Sequence, residues 1–460
     1  MKDRNVKGII QSIIEKETDK LMGISFSCVC GRTHAIPIEY LSVKKGAILE
    51  VKHQMDKLGV SGNGGLIYDK RIEGNIGKKV LQTLKDQGVF IKPYPVGDGN
   101  EILKPEIEVS KRIADRIDTG TDYLISAGSG VVSDLTKNAA ALVELPFMLI
   151  ATAPSMNGYT SSMAALTDKG IKKTLYIPSA KAVFADINIL KDSPIEMIRS
   201  GLGDIVSKSV CNADWKISQL IKNTYFCPFP YRLTAKTEPL YLEAAEQIGQ
   251  GTDYGIKILT DGIMRSGLSM TVVGTSTPSS GAEHFLSHHW DLMALKEGKE
   301  SHLHGVQVGV ATIIILKLYD YIRNYPVRKR LNLSKLKKNY PSRKSVHTFI
   351  EQQYGKYAEE INKEYFQKYM DWKDKEKEIE YIIEKWPDIW NELDPYIHPT
   401  KPVEEALKKS GAAVYYSHLG KTTHEVACDL RNAMLIRGRY TALDLAKDLD
   451  ILDEAAVKIL

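Results

Sequence analysis

Cysteine is scarce, with five in 460 residues. An odd, small number spread over a long chain does not build a disulfide framework, and it fits a reducing compartment. Long apolar runs are missing as well. No stretch reaches the roughly 18 consecutive apolar residues that a membrane helix needs. The greasiest, Thr312–Leu318, ends at Tyr319-Asp320. The opening MKDRNVKGIIQSIIEKE has no continuous apolar core ahead of its acids, so no cleaved signal peptide is expected. There is no dominant charge either. Lys plus Arg (62) against Asp plus Glu (57) leaves +5, too small an excess for a nucleic-acid binder but compatible with a small anionic substrate. These absences point to a cytoplasmic protein with no nucleic-acid partner and no membrane insertion.

What is there reads as an enzyme-sized globular chain, 43% hydrophobic and 26% charged. Up to about residue 190 short apolar strands alternate with helical patterns. Strands are expected at 65–69, 89–91, 123–127 and 147–151, with helices at 76–87, 106–117 and 131–143. That alternation implies βαβ units, a parallel sheet, and ligands at the carboxyl ends of its strands. After Asp192-Ser193-Pro194 apolar residues recur at three and four, and the pattern becomes all-helical, with helices expected at 195–209, 240–248, 282–295, 306–321, 345–360, 373–385 and 427–436. The expected class is therefore α/β: a Rossmann-like parallel-sheet domain over 1–192, then an all-helical domain over 193–460. The basic segment 326–344 and the mixed-charge stretch 363–385 read as solvated surface.

Three segments carry candidate chemistry. Gly128-Ser129-Gly130, followed by Val131-Val132-Ser133-Asp134, joins a strand to a helix, where close backbone approach and free amides suit a phosphate. The loop 151–162 follows the next strand and is dense in hydroxyls; Thr152 and Ser155 can donate to a pyrophosphate. Five of the eleven histidines fall within 284–304, and His284 and His288 lie four apart on one helical face. With His304 at the start of the next helix and an acid such as Asp204, these residue types suit an open divalent-metal site. Cys28-Val29-Cys30-Gly31-Arg32-Thr33-His34 looks like half of a zinc site, but no second pair of the right spacing exists; Cys211, Cys227 and Cys428 stand alone. An N-terminal β-turn with buried thiols is the expectation there.

Taken in order, seven segments resemble the iron-containing alcohol dehydrogenase and dehydroquinate synthase superfamily, and within it the sn-glycerol-1-phosphate dehydrogenases. They are GSGVVSDLTK (128–137), ATAPSMNGYTSS (151–162), GIKKTLYIPSAKAVFADINIL (170–190), GLGDIVSKSVCNADW (201–215), SGAEHFLSHHW (280–290), HGVQVGVAT (304–312) and IRGRYTALDLA (436–446). The resemblance implies a dehydroquinate synthase-like fold, NAD(H) or NADP(H), and one divalent metal (Zn, Ni or Fe). Asp204, His284 and His304 would hold the metal, and His288 would lie near the substrate. Gly128, Ser129, Gly130, Asp134, Thr152 and Ser155 would bind the cofactor. Asp69, ending the first strand, can take the adenosine ribose hydroxyls, while Lys70 and Arg71 beside it can instead favour a 2′-phosphate.

Asn157 departs from the family's Asp at a position facing the substrate's hydroxyls, and Lys208, one turn from Asp204, is a candidate phosphate partner. The implied reaction interconverts dihydroxyacetone phosphate and sn-glycerol 1-phosphate in a homo-oligomer. The alternatives are another polyol or polyol-phosphate dehydrogenase, or a dehydroquinate-synthase-like lyase, which would call for Glu where Asp204 stands.

Overall fold

The structure, a computed structural model, describes residues 2–460, with side chains from residue 6 onward. The chain divides into two compact units. The first comprises Met1–Ile205, Cys227–Ser276 and Ala406–Ala412; the second comprises Val206–Phe226, Thr277–Glu405 and Ala413–Leu460.

All strands among the described residues belong to the first unit: β1 (Ser25–Ser27), β2 (Thr33–Ala35), β3 (Tyr40–Lys44), β4 (Gly64–Asp69), β5 (Ile91–Val96), β6 (Tyr123–Gly128), β7 (Phe147–Ala151), β8 (Met163–Asp168), β9 (Ile171–Tyr176) and β10 (Ala182–Asp186). Six form one sheet in the order β3-β10-β7-β6-β4-β5, parallel throughout. β4, β6, β7 and β10 are buried along their whole length. Their apolar runs are continuous because helices cover both faces of a parallel sheet. Leu66, Val80, Leu84, Ile125, Met148 and Phe184 share one core cluster.

β5 lies at 91–96, later than the expected 89–91. Its Pro93 and Pro95 demote it as a strand on paper, but an edge position tolerates them. β3 and β10 are not among the strands expected from pattern. β8 and β9 form an antiparallel hairpin closed by Lys169 (φ 49°) and Gly170 (φ 87°), the two positive-φ residues of a tight primed turn.

From β4 the chain goes outward to β5; from β6 it goes the other way, to β7 and β10. The direction reverses between β4 and β6, so their carboxyl ends, Asp69 and Gly128, flank the crevice where open α/β sheets take ligands.

After Asp186 every element is helical. The long helix Asp253–Val273 is not anticipated by the periodic pattern. Thr252 caps its start and Gly274, in the left-handed region, ends it. Gly262 and Gly267 interrupt its apolar pattern for a packing reason. A Cβ at 267 would stand 2.2 Å from Thr160 Oγ1 and 2.6 Å from the Asn157 carbonyl oxygen, and one at 262 would stand 2.3 Å from Ile205 Cδ1. The Thr160 hydroxyl also donates to the Met264 carbonyl (2.6 Å).

In the second unit, helices Lys208–Lys222, Ala282–Lys296 and His304–Arg323 carry much of the core. His304–Arg323 is, among the described residues, the one helix long and apolar enough to cross a membrane, and most of it is buried inside the unit. The reading of 363–385 as solvated surface holds for Lys363, Asp374 and Lys377, which are exposed, and is corrected for Lys368, Lys375 and Glu378. Lys368 pairs with Asp444 at 2.6 Å, Lys375 with Glu378 at 2.6 Å and Asp448 at 2.9 Å, all with side chains under 10% exposed. Helical spacing places 375 and 378 on one inward face, where each charge finds its opposite. In the basic segment, Arg328, Lys329 and Arg330 are exposed, as expected.

Candidate active site

The candidate cofactor residues of the first unit lie at the carboxyl edge of its sheet. β6 ends at Gly128 and the helix Gly130–Leu142 begins two residues on, with Ser129 at its N-cap in extended backbone and no side chain capping it. The first amides of that helix are thus not taken by a cap, as an anion site requires. A Cβ on Gly128 would lie 2.4 Å from Val132 Cβ, and one on Gly130 would lie 2.4 Å from Met156 Cε, so glycine keeps this turn tight. The Thr152 amide donates to the Gly128 carbonyl (3.1 Å), which ties the two predicted cofactor loops together.

Asp69, buried at the end of β4, accepts from the Arg71 amide (2.9 Å) and from Arg71 Nε (3.0 Å) and Nη2 (2.6 Å). That bond raises the Arg71 pKa. The two residues that sequence reading set in opposition, an acid for ribose and a base for phosphate, are one ion pair.

Asp134 is buried. Its carboxylate takes Lys137 Nζ (3.2 Å) and the Ala165 amide (3.0 Å). Lys137, which sequence reading passed over, is 1% exposed and also donates to the carbonyls of Gly158 (2.6 Å) and Met163 (2.9 Å). Burial pushes its pKa down, against the pull of Asp134. The pair ties the loop after β7 to the helix Gly130–Leu142. Ser155 is half-buried in that loop.

Asn157 donates its backbone N–H to Asp204 Oδ2 (2.9 Å) and its Nδ2 to Oδ1 (3.4 Å). Asp204 is 1% exposed, near the end of helix Ile195–Ile205. An amide at 157 can donate to this carboxylate where an acid would repel it.

The second unit gathers the histidines. The ring centroids of His284 and His304 are 5.1 Å apart, those of His288 and His304 5.6 Å, and those of His284 and His288 5.9 Å. One turn of helix Ala282–Lys296 separates 284 from 288, and His304 is the first residue of the next helix. The other two histidines of the stretch turn elsewhere: His289 Nε2 meets Asp429 (3.2 Å) and His302 Nε2 the Leu419 carbonyl (3.2 Å).

Glu283, fully buried, was also missed. Its Oε1 accepts from the Gly281 amide (2.8 Å) and sits 2.7 Å from His284 Nδ1. A carboxylate there makes Nδ1 the protonated nitrogen and leaves Nε2 as the donor to a metal, the usual support for a ligating imidazole. Glu283 Oε2 is buried with no hydrogen-bond partner among the described residues. Nearby Asp214 is pushed up to about 7, by burial first and then by the Glu283 charge. An acid directly before the first histidine of A-E-H was the available signal.

Lys208 is 2% exposed. Among the described residues its Nζ has a hydroxyl, Ser207 Oγ (3.2 Å), and a carbonyl, Ser279 (3.4 Å), for hydrogen-bond partners. Arg439 Nη2 donates to Ser280 Oγ (3.1 Å), so the 279–280 turn carries two cations. Two imidazoles and a carboxylate suit zinc, iron or nickel alike.

Over 309 residues the chain is 33% identical to the glycerol-1-phosphate dehydrogenase (NAD(P)+) of Halalkalibacterium halodurans, spanning 64% of this chain and 74% of that protein. The chain belongs to the glycerol-1-phosphate dehydrogenase family. A second family member, from Bacillus licheniformis, is 32% identical over 298 residues, 64% of this chain and 73% of its own. A family model described as iron-containing alcohol dehydrogenase matches residues 42–194, which run from within β3 past the end of β10. A crystal structure of a probable glycerol dehydrogenase from Sinorhizobium meliloti 1021 covers 91% of this chain and 97% of its own at 13% identity, with a TM-score of 0.58. At that identity the likeness is one of fold. The glycerol-1-phosphate dehydrogenase family thus has here a parallel-sheet unit of the expected kind and a helical continuation.

Proposed function

We propose that the protein is a metal-dependent, NAD(P)H-linked oxidoreductase that interconverts dihydroxyacetone phosphate and sn-glycerol 1-phosphate. The observation that carries the reading is the trio His284, His288 and His304, with Glu283 holding His284, in a chain of this family. In this reading residues 1–192 bind the dinucleotide and residues 193–460 supply most of the metal and substrate groups. Asp204, His284 and His304 hold one divalent ion, and their donor chemistry fits it. When bound, the ion supplies Lewis acidity at a carbonyl oxygen, and the dinucleotide supplies the hydride.

The chain's own residues do the rest. The amides after Gly128-Ser129-Gly130 receive the pyrophosphate, with Thr152 and Ser155 beside it. Asp69 offers an acceptor to the ribose while it orients Arg71. Asp134 acts by holding its loop in place through Lys137. Asn157 positions the Asp204 carboxylate and keeps an amide for a substrate hydroxyl. His288 moves the proton that the reduced oxygen needs. Lys208, a buried ammonium with no carboxylate among its hydrogen-bond partners, receives the phosphate and gains the charge partner it lacks.

The test is a reconstitution. Chelated protein is reloaded with Zn²⁺, Fe²⁺ or Ni²⁺ and given dihydroxyacetone phosphate with NADH or NADPH. Net reductant oxidation with formation of the 1-phosphate enantiomer is the expected result. Product without net redox change would point to the lyase instead. We also read the enzyme as a cytoplasmic homo-oligomer, which sedimentation of the holoenzyme would check.

A further inference from the structure

The half-motif at 28–34 has a fourth member that sequence spacing cannot reveal. Cys28 opens the turn of the β1–β2 hairpin and Cys30 lies within it, and Gly31 closes it in the left-handed region (φ 83°). His34 stands on β2. Cys227, 193 residues further on, is the N-cap of helix Pro228–Ala235 in the same compact unit. Cys28 Sγ is 3.6 Å from Cys227 Sγ. His34 Nε2 is 3.3 Å from Cys30 Sγ and 3.4 Å from Cys227 Sγ. All four donor atoms lie within 4.8 Å of one another. A tetrahedral zinc with bonds of about 2.3 Å to sulfur and about 2.0 Å to nitrogen spaces its donors about 3.5–3.8 Å apart.

We propose that Cys28, Cys30, His34 and Cys227 bind one zinc ion, separate from the metal of the reaction, as a closed structural site. Three thiols and an imidazole form the Cys₃His set of structural zinc, and thiolates select it over harder cations. With four protein donors no position is left for substrate. Cys28, His34 and Cys227 are buried and Cys30 is half-buried, so the ion is shielded on most sides. A disulfide would need the two sulfurs at about 2.05 Å, and it would leave the imidazole and the third thiol without a task. The three thiols lose their protons to solvent as the ion enters.

The site fastens the hairpin to the helix across a long stretch of chain. A second contact shows the same fastening: Phe26, on β1, packs on Phe229, in that helix (4.6 Å between ring centroids).

Cobalt separates this site from the other, because the proposed reaction metal has no sulfur ligand. Holoprotein exchanged with Co²⁺ should show thiolate-to-cobalt charge-transfer absorption. That band should persist in His284→Ala and vanish in Cys28→Ser/Cys227→Ser. Its absence from the wild-type cobalt protein, or its survival in the double variant, overturns the proposal and leaves the dehydrogenase reading untouched. Should the double variant not fold, wild-type zinc holoprotein is titrated with a mercurial. One equivalent of zinc per chain released with thiol modification, from His284→Ala as well, is the expected result. No release, or only three thiols titrating in denaturant, overturns it.

Discussion

The sheet edge of the first unit and the histidine cluster of the second build chemistry in opposite ways. At the sheet edge the working groups are backbone. Gly128 and Gly130 sit where any Cβ would collide with Val132 or Met156, and helix amides are left for an anion. In the cluster the working groups are side chains at positions set by helical spacing, and a buried carboxylate, Glu283, fixes one ring. A backbone site depends on what is absent from a residue. A side-chain site depends on what its neighbours hold in place. Substitutions should therefore separate the two: one region moves nucleotide affinity, the other moves metal.

The largest effect is expected at the cluster. His284→Ala should lower kcat/KM about 10³-fold, the equivalent of about 4 kcal/mol of Lewis-acid stabilisation, and strip the reaction metal. Nucleotide binding, read by fluorescence of the reduced cofactor, should stay intact. Retained activity would break the division at its centre. Glu283→Gln comes next, with a loss of about 10–100-fold in metal affinity by competition with a chelating dye; an unchanged affinity would mean that the 2.7 Å contact to His284 does not orient the ring.

Gly128→Ala probes the other side. A rise of about tenfold in nucleotide Kd, or about 1.4 kcal/mol, is expected with metal content unchanged; a change in metal instead would reverse the division. The smallest effect is assigned to Asn157→Asp. Replacing a donor by a second acid beside Asp204 should cost the metal-free protein about 1 kcal/mol in unfolding free energy, recovered when metal is added. A gain in stability without metal would contradict the hydrogen bonds at 157.

These two logics also decide what could be read from the chain. The strands at 123–128 and 147–151 and the helices at 107–116 and 282–296 stand close to where pattern places them, because long apolar periodicity survives without tertiary information. The helix 253–273 escaped because Gly255, Gly262 and Gly267 punctuate it. Two of those glycines make close contacts with side chains or loops that only folding brings near. Cys227 looked solitary because proximity in space carries no trace in spacing. Glu283 and Lys137 were unremarked because a buried carboxylate and a buried ammonium look like ordinary surface charges until their partners are known. Asp69 and Arg71 were rivals on paper and are a hydrogen-bonded pair in the fold.

Pro93 and Pro95 on β5 bear on how copies of the molecule can meet. Lying two residues apart on the outermost strand, they remove two amide hydrogens from the same flank. A visiting strand laid along that border would find carbonyls of its own left unanswered, so the ribbon cannot be lengthened there from one subunit into the next.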